Sequence, residues 1–154
     1  MDIVSQVVKK LLKNSITIST AESCTGGLIA SEITKYSGVS SIYPGSVISY
    51  SNHIKQKVLG VSEETLLSFG AVSESCVKEM CSGVRKLMES DIAVAVSGIA
   101  GPSGGTDEKP VGLVFIAVSY HDRVIVEKNI FSGSRIEVQQ KTKNRAFEII
   151  NKLI

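Results

Sequence analysis

The chain has 154 residues, 43% of them hydrophobic and 21% charged, which fits one soluble globular domain with its own core. Its apolar stretches are too short to span a bilayer, and its 17 basic and 15 acidic residues form no basic stripe of the kind that binds nucleic acid. Three irregularly spaced cysteines and the lack of a signal-peptide core indicate reduced thiols and a cytoplasmic location, with neither a membrane nor a nucleic acid as main partner.

Hydrophobic spacing predicts that strands and helices alternate along the chain. In order, we expect a helix over 2–13, a strand at Ile16–Thr20, a helical pattern from Leu28 to Tyr36, a strand at Ser46–Tyr50, helices at about 52–59, 62–68 and 74–89, strands at Ile92–Ser97, Gly112–Tyr120 and Val124–Phe131, and a helix from Ser134 to Leu153. The early strand-helix-strand order predicts a parallel pair, and the turn at His121-Asp122 predicts a hairpin. We therefore predict a single three-layer α/β/α domain with a mixed, mostly parallel five-stranded sheet.

Strand direction indicates where a ligand would bind. If strands one, two, three and five run parallel and strand four runs against them, four polar segments leave the sheet at the same edge. These segments are TAESCTGG at 20–27, SYSN at 49–52, SGIAGPSGG at 97–105 and FSGSR at 131–135. Ligands of open α/β sheets bind at this carboxyl edge, so we expect the site there.

Ser23 is the candidate nucleophile, because it follows a strand and precedes Thr25-Gly26-Gly27 at a helix N-terminus, where free N–H groups can stabilise an oxyanion. The alternative is that Ser23 only caps the helix. A serine needs a base, and the chain has only two histidines to supply one. The same edge offers two other candidates, Tyr50 and Lys55. Lys55 can act as the base if burial lowers its pKa. Taken alone, Lys55 also fits a solvated lysine and Tyr50 an ordinary strand aromatic.

Two further segments suggest an anion site. The glycine-rich loop from Gly98 to Gly105 can bring N–H groups close to a phosphate, although it lacks the Walker lysine and also fits a long hairpin loop. Arg135 opens the last helix, where it would attract a phosphate or lie on the surface. Cys24 is a rival nucleophile without an evident histidine partner, and His53 has no visible acidic residue to orient it.

Together these motifs, with the segment from 46 to 74 and EKPVG at 108–112, resemble the CinA C-terminal domain family over nearly the whole chain and in the same order. The resemblance implies a stand-alone domain over 1–154, without the molybdopterin-binding-like domain of longer CinA proteins. It also implies nicotinamide-nucleotide amidase activity. Nicotinamide mononucleotide would be hydrolysed to nicotinate mononucleotide and ammonia without a metal or other cofactor, as a step in pyridine nucleotide recycling.

The resemblance also implies roles for individual residues. Ser23 would attack the amide carbon, Lys55 would act as general base and Tyr50 would orient or relay. The oxyanion and substrate-binding set is Cys24, Thr25, Gly26, Gly27, Ser97, Gly98, Gly101, Gly104, Gly105 and Arg135. At the third strand many relatives have threonine where this chain has Ser97, which keeps the hydroxyl.

Two alternatives remain open. One is a non-catalytic nucleotide-binding module that acts through partner proteins in competence or DNA damage. The other is the same serine and lysine acting on a different amide. We expect the chain to form a homo-oligomer.

Overall fold

The computed structural model describes residues 1–154 as helices and strands that match the predicted order. The elements are α1 (Ile3–Asn14), β1 (Ile18–Glu22), α2 (Leu28–Ile33), a 3₁₀ turn (Val39–Ser41), β2 (Gly45–Ile48), α3 (Asn52–Leu59), α4 (Glu63–Phe69), α5 (Glu74–Met88), β3 (Ile92–Gly98), β4 (Leu113–Tyr120), β5 (Arg123–Ile130) and α6 (Arg135–Leu153). None of these helices is both long and apolar enough to span a bilayer.

The sheet has the strand directions that the sequence predicts. Its order is β2-β1-β3-β4-β5; β1 is parallel to both of its neighbours, and β4 is antiparallel to both of its own. The carboxyl ends of β1, β2, β3 and β5 therefore lie at one edge, where β4 begins. All four polar segments leave the sheet at this edge.

Helices cover both faces of the sheet and give the domain three layers. On one face, β-branched side chains such as Val94 and Ile116 pack with α1, α2 and α6. On the other face the sheet presents Ala21, Ala95 and Ala117, and α5 packs against these small side chains. The predicted fold class is confirmed.

Two strand ends differ from the prediction. β1 was expected at Ile16–Thr20 but forms two residues later, because the Ile16 N–H still donates to Leu11 O at the end of α1. β2 was expected to reach Tyr50 but ends at Ile48, since the chain turns there toward Ser51, the N-cap of α3. Tyr50 is consequently a loop residue.

Side chains explain where most of the helices begin. Each cap accepts the backbone N–H three residues further on, an interaction worth about 1 kcal/mol. These caps are Asp2, Ser51, Ser62, Ser73 and Ser134. α2 is the exception, because its N-cap is Gly27, which has no side chain. The carboxylate of Glu22, at the end of β1, takes over the capping of α2.

Gly112 ties the start of β4 to the segment that follows β5. Its φ is +91°, and an ideal Cβ at this position would lie 1.9 Å from the carbonyl oxygen of Phe131. The Phe131 N–H in turn donates to Gly112 O at 2.8 Å. A side chain at residue 112 would therefore push away the segment that leads to Arg135.

Candidate active site

Ser23 and Lys55 meet at the carboxyl edge of the sheet. Ser23 is the first residue after β1, and its N–H donates to Val96 O on β3. Lys55 lies on α3 with its side chain turned inward, so that the residue is only 2% exposed. Its Nζ lies 3.1 Å from Ser23 Oγ and donates to Ser49 O at 2.9 Å. The candidate base that the sequence predicts on this edge is thus within hydrogen-bonding reach of the candidate nucleophile.

Lys55 has no charged partner in this environment. It takes part in none of the ion pairs of the chain. Burial lowers the pKa of its amine from the ordinary value of 10.5, and the nearby thiols of Cys76 and Cys24 oppose this shift only in part. A buried amine without a counter-ion favours its neutral form. In that form, the lone pair of Nζ can accept the hydrogen of the Ser23 hydroxyl while an N–H still donates to Ser49 O, which is the arrangement of a nucleophile and its base.

The turn after Ser23 leaves selected N–H groups without an acceptor. The Gly26 N–H donates to Ser23 O at 3.0 Å, and the Leu28 N–H donates to Thr25 O at 3.1 Å. The next two N–H groups of α2, those of Ile29 and Ala30, donate to Glu22. The N–H groups of Cys24, Thr25 and Gly27 donate to no acceptor in the chain. The donors available to an oxyanion are therefore those of the turn and not those of the helix.

A cleft of about 270 Å³ opens beside Ser23. Of the predicted residues it is lined by Ser23, Cys24, Tyr50, Lys55, Ser97, Gly98, Gly101, Gly104 and Arg135. Thr25, Gly26, Gly27 and Gly105 lie outside the lining, and the Thr25 hydroxyl points away from the cleft to donate to Glu22. The structure thus brings together nine side chains or glycines from four separated segments of the sequence.

Arg135 connects three parts of the cleft rim. It is the first residue of α6, and its guanidinium donates to Gly101 O at 2.8 Å and to the Tyr50 hydroxyl at 2.6 Å. Tyr50 makes no hydrogen bond to Ser23 or Lys55, and it is 61% exposed. Both acceptors of Arg135 are neutral, so an anionic oxygen would be a stronger partner for it.

The glycine-rich loop after β3 also presents free donors. The backbone N–H groups of residues 100, 101, 103, 104 and 105 donate to no acceptor in the chain. Residue 102 is a proline and has no N–H. Successive free N–H groups beside an arginine are the pattern of an anion-binding loop.

Neither rival residue matches the Ser23–Lys55 pair. Cys24 is 4% exposed, and burial raises the pKa of its thiol to about 12, so the thiolate needed for attack is not formed near neutral pH. His53 is exposed on α3 and does not line the cleft.

Some residues of the site carried no clear signal in the sequence. Ala71 and Val72, between α4 and α5, line the cleft although nothing local marks them. Asn52 also lines it, one helical turn before Lys55, and that spacing could have indicated it. Glu22 and Ser49 do not line the cleft but make hydrogen bonds next to the pair, Glu22 to the start of α2 and Ser49 O to Lys55. A charged residue within a buried strand was the available signal for Glu22.

A larger groove, of about 650 Å³, lies between α5 and the β4–β5 hairpin. Its cations include Arg85 and Lys86, which lie in the last turn of α5 and so complement the negative end of that helix. None of its serines or its cysteine is hydrogen-bonded to a lysine, unlike Ser23 in the smaller cleft.

Comparison with known proteins shows the family to which the chain is related. A family model described as the CinA C-terminal domain matches residues 1–154. A CinA-like protein of Thermotoga neapolitana is 49% identical over 148 residues, which cover 96% of this chain and 36% of that protein. A CinA-like protein of Endomicrobium trichonymphae is 51% identical over 142 residues, or 92% of this chain and 33% of that one. The chain therefore spans about a third of the length of these curated relatives.

Solved structures show the same fold. The crystal structure of the competence/damage inducible protein CihA from Agrobacterium tumefaciens has a TM-score of 0.95 and 37% identity, and the match covers 98% of this chain and 93% of that one. A CinA superfamily protein from Klebsiella pneumoniae gives a TM-score of 0.94 and 34% identity over 97% and 94% of the two chains. On the family match over its full length and these near-superimposable folds, the chain belongs to the CinA C-terminal domain family.

Proposed function

We propose that the protein is an amidohydrolase that converts nicotinamide mononucleotide to nicotinate mononucleotide and ammonia, as a step in pyridine nucleotide recycling in the cytoplasm. The observation that carries the proposal is the buried Lys55 amine, which has no counter-ion and lies 3.1 Å from Ser23 Oγ. This pair supplies a nucleophile and a base without a metal, and the family resemblance supplies the substrate.

The reaction follows from the positions of the two side chains. Ser23 Oγ attacks the carboxamide carbon while its proton passes to the lone pair of Lys55 Nζ. The N–H group of Cys24, which has no acceptor in the chain and belongs to a residue of the cleft lining, is the donor that would stabilise the oxyanion. The carbon–nitrogen bond then breaks as the Lys55 ammonium protonates the amide nitrogen, which leaves as ammonia. Lys55 next deprotonates a water molecule that attacks the acyl-serine, and it returns this proton to Ser23 Oγ when the ester bond breaks.

The phosphate of the nucleotide would bind at the other end of the cleft. The free N–H groups of the glycine-rich loop and the guanidinium of Arg135 are the donors there. In this arrangement Tyr50 helps to orient the guanidinium through the hydrogen bond that its hydroxyl accepts.

The test of the proposal is ammonia release from nicotinamide mononucleotide by the purified protein. We expect turnover that persists in the presence of a metal chelator and disappears in a Ser23→Ala variant. Ammonia release that the chelator abolishes, or that survives Ser23→Ala, would contradict the mechanism. No release from this substrate combined with release from another amide would keep the mechanism and change the substrate.

The role of Arg135 has its own expected result. Arg135→Gln should raise KM for nicotinamide mononucleotide by about 10- to 100-fold, because a hydrogen bond to a charged group is worth about 1.5–3 kcal/mol. Turnover of nicotinamide riboside, which lacks the phosphate, should not change. Steady-state kinetics on both substrates measures the difference, and Arg123→Gln, at an exposed arginine of the hairpin, is the control. An equal loss on both substrates would show that Arg135 does not act through the phosphate.

A second function is favoured by the name of one solved neighbour, the competence/damage inducible protein CihA. The chain would then be a nucleotide-binding module that acts through partner proteins. Saturable binding of the nucleotide in calorimetry, with no product after long incubation, would support this module and overturn the amidase.

A further inference from the structure

We propose that Glu22 is a positioning residue for this reaction. It fixes the turn that follows Ser23 relative to the backbone of Ser49, to which Lys55 donates a hydrogen bond. The inference rests on the proposed function, since it concerns the geometry of the Ser23–Lys55 pair. Glu22 itself faces the α2 side of the sheet and touches neither substrate nor the reacting atoms.

The carboxylate of Glu22 is fully buried and has four hydrogen-bond donors around it. Oε1 accepts the Thr25 hydroxyl at 2.6 Å and the Ile29 N–H at 2.9 Å. Oε2 accepts the Thr20 hydroxyl at 2.8 Å and the Ala30 N–H at 2.9 Å. A buried carboxylate is tolerated only when its oxygens are satisfied in this way, and the positive end of α2 further stabilises its charge.

These contacts join the two sides of the active site through one residue. The side chain fixes Thr25 and the start of α2, and so sets the path of the turn that follows Ser23. The backbone carbonyl of Glu22 accepts the Ser49 N–H at 2.8 Å, and the carbonyl of Ser49 accepts Lys55 Nζ. A shift of Glu22 therefore moves both the nucleophile and the anchor of the base.

The same contacts decide which N–H groups near Ser23 are left without an acceptor. Because Glu22 occupies the N–H groups of Ile29 and Ala30, the positive end of α2 is neutralised within the protein. Without this carboxylate, α2 would lose its cap, and the N–H groups of the turn would lose their fixed direction. Displacing a catalytic group by about 1 Å can cost about 10²-fold in rate.

A chain of hydroxyls extends from the carboxylate to Tyr43. Tyr43 Oη lies 2.5 Å from Ser46 Oγ, which lies 2.6 Å from Thr20 Oγ1, and Thr20 donates to Glu22. Because a carboxylate can only accept hydrogen bonds, each hydroxyl in this series donates toward Glu22. With glutamine at residue 22, these hydroxyls can reverse to accept from the new amide, but the N–H of Ala30 cannot reverse and would face another donor. Glu22→Gln therefore changes the shape of the side chain little but places an amide N–H opposite the N–H of Ala30 in α2.

The experiment compares the wild type with Glu22→Gln and the milder Thr25→Val, which removes one bond to the carboxylate. Asp2→Ala is the matched control, because it removes the side-chain cap of α1 at a residue that does not line the cleft. Each protein is assayed for kcat and KM on nicotinamide mononucleotide, for its melting temperature, and for the hydrogen-exchange rates of the Thr25, Ile29 and Ala30 amides by NMR.

For Glu22→Gln we expect kcat to fall by about 10²-fold with KM near the wild-type value, and the amides at the start of α2 to exchange faster. Thr25→Val should show a smaller loss of the same kind. Asp2→Ala should lower the melting temperature and leave kcat unchanged. Unchanged kcat in Glu22→Gln, or a loss that Asp2→Ala reproduces at equal melting temperature, would overturn the inference.

The failure of the proposed function would look different. If the wild type releases no ammonia from any amide substrate tested, the amidase proposal fails. The hydrogen-exchange measurement on the backbone then still tests whether Glu22 holds the start of α2 in place. Unchanged exchange at Ile29 and Ala30 in Glu22→Gln would then overturn the positioning role as well.

Discussion

Replacing Lys55 with methionine is expected to lower kcat for ammonia release by about 10²- to 10⁴-fold, the usual contribution of a general base. Methionine has a similar length and is at ease in an apolar pocket, so the variant should fold and bind the nucleotide. The loss arises because Ser23 Oγ keeps its position but has no lone pair to accept its proton. Single-turnover kinetics would separate this chemical step from product release.

Lys57→Met provides the matched control. Lys57 lies on the same helix, two residues from Lys55, but is exposed, so the same substitution should leave kcat unchanged. Wild-type turnover by Lys55→Met would exclude Lys55 as the base. A loss in both variants would indicate damage to α3 and not to the chemistry.

The pH dependence of Lys55 has a defined sign. Because the base must be neutral, kcat/KM should rise with pH through the pKa of Lys55, which burial places below 10.5. In the unfolded chain the lysine holds its proton up to its ordinary pKa, so between the two values the unfolded state binds more protons and stability rises with pH. Lys55→Met removes the cost of burying the amine, so its melting temperature should exceed that of the wild type. The difference should shrink as the pH approaches 10.5.

Gly112→Ala is expected to destabilise the protein by about 4 kcal/mol, which corresponds to a fall of about 10 °C in the melting temperature. Two effects combine, since alanine resists the positive φ and its Cβ would meet Phe131 O at 1.9 Å. Thermal unfolding followed by circular dichroism measures the change. Because the clash displaces the segment before Arg135, KM for the nucleotide should rise in the fraction that still folds.

Gly60→Ala separates these two effects. Gly60 has a similar positive φ of +74°, but an added Cβ would meet nothing within 4 Å. It should cost only about 1–2 kcal/mol, the penalty of the left-handed conformation. If Gly112→Ala cost no more than Gly60→Ala, the contact with Phe131 would not constrain the fold.

The sequence predicted the topology well because each helix and strand carries its own signal. The strand directions followed from the helical crossovers and from the hairpin at His121-Asp122, and the location of the site followed from those directions. The ends of β1 and β2 were less accessible, because they depend on partners elsewhere in the chain. β1 continues through Glu22, whose buried carboxylate accepts hydrogen bonds from α2 and from two threonine hydroxyls.

The sequence predicted nine of the residues that line the cleft, but it predicted fewer of the contacts between them. Ser23 and Lys55 were placed on the same edge, but the burial of Lys55 results from the packing of α3 on α5 and has no local pattern. Tyr50 lines the same cleft, as expected, but the pairing of its hydroxyl with Arg135, 85 residues further along the chain, was not predicted. Pairings over such distances cannot be inferred from spacing alone.

The state of the cysteines determines which inhibitors could react covalently in this cleft. Cys24 borders Ser23, yet burial raises the pKa of its thiol to about 12, and the buried thiols of Cys76 and Cys81 are raised to about 11 and about 12. Soft electrophiles such as acrylamides, which need a thiolate, would find no partner here. The proposed mechanism implies that hard electrophiles such as boronates and phosphonates would instead react with Ser23, so covalent ligand discovery should begin with oxygen-directed warheads.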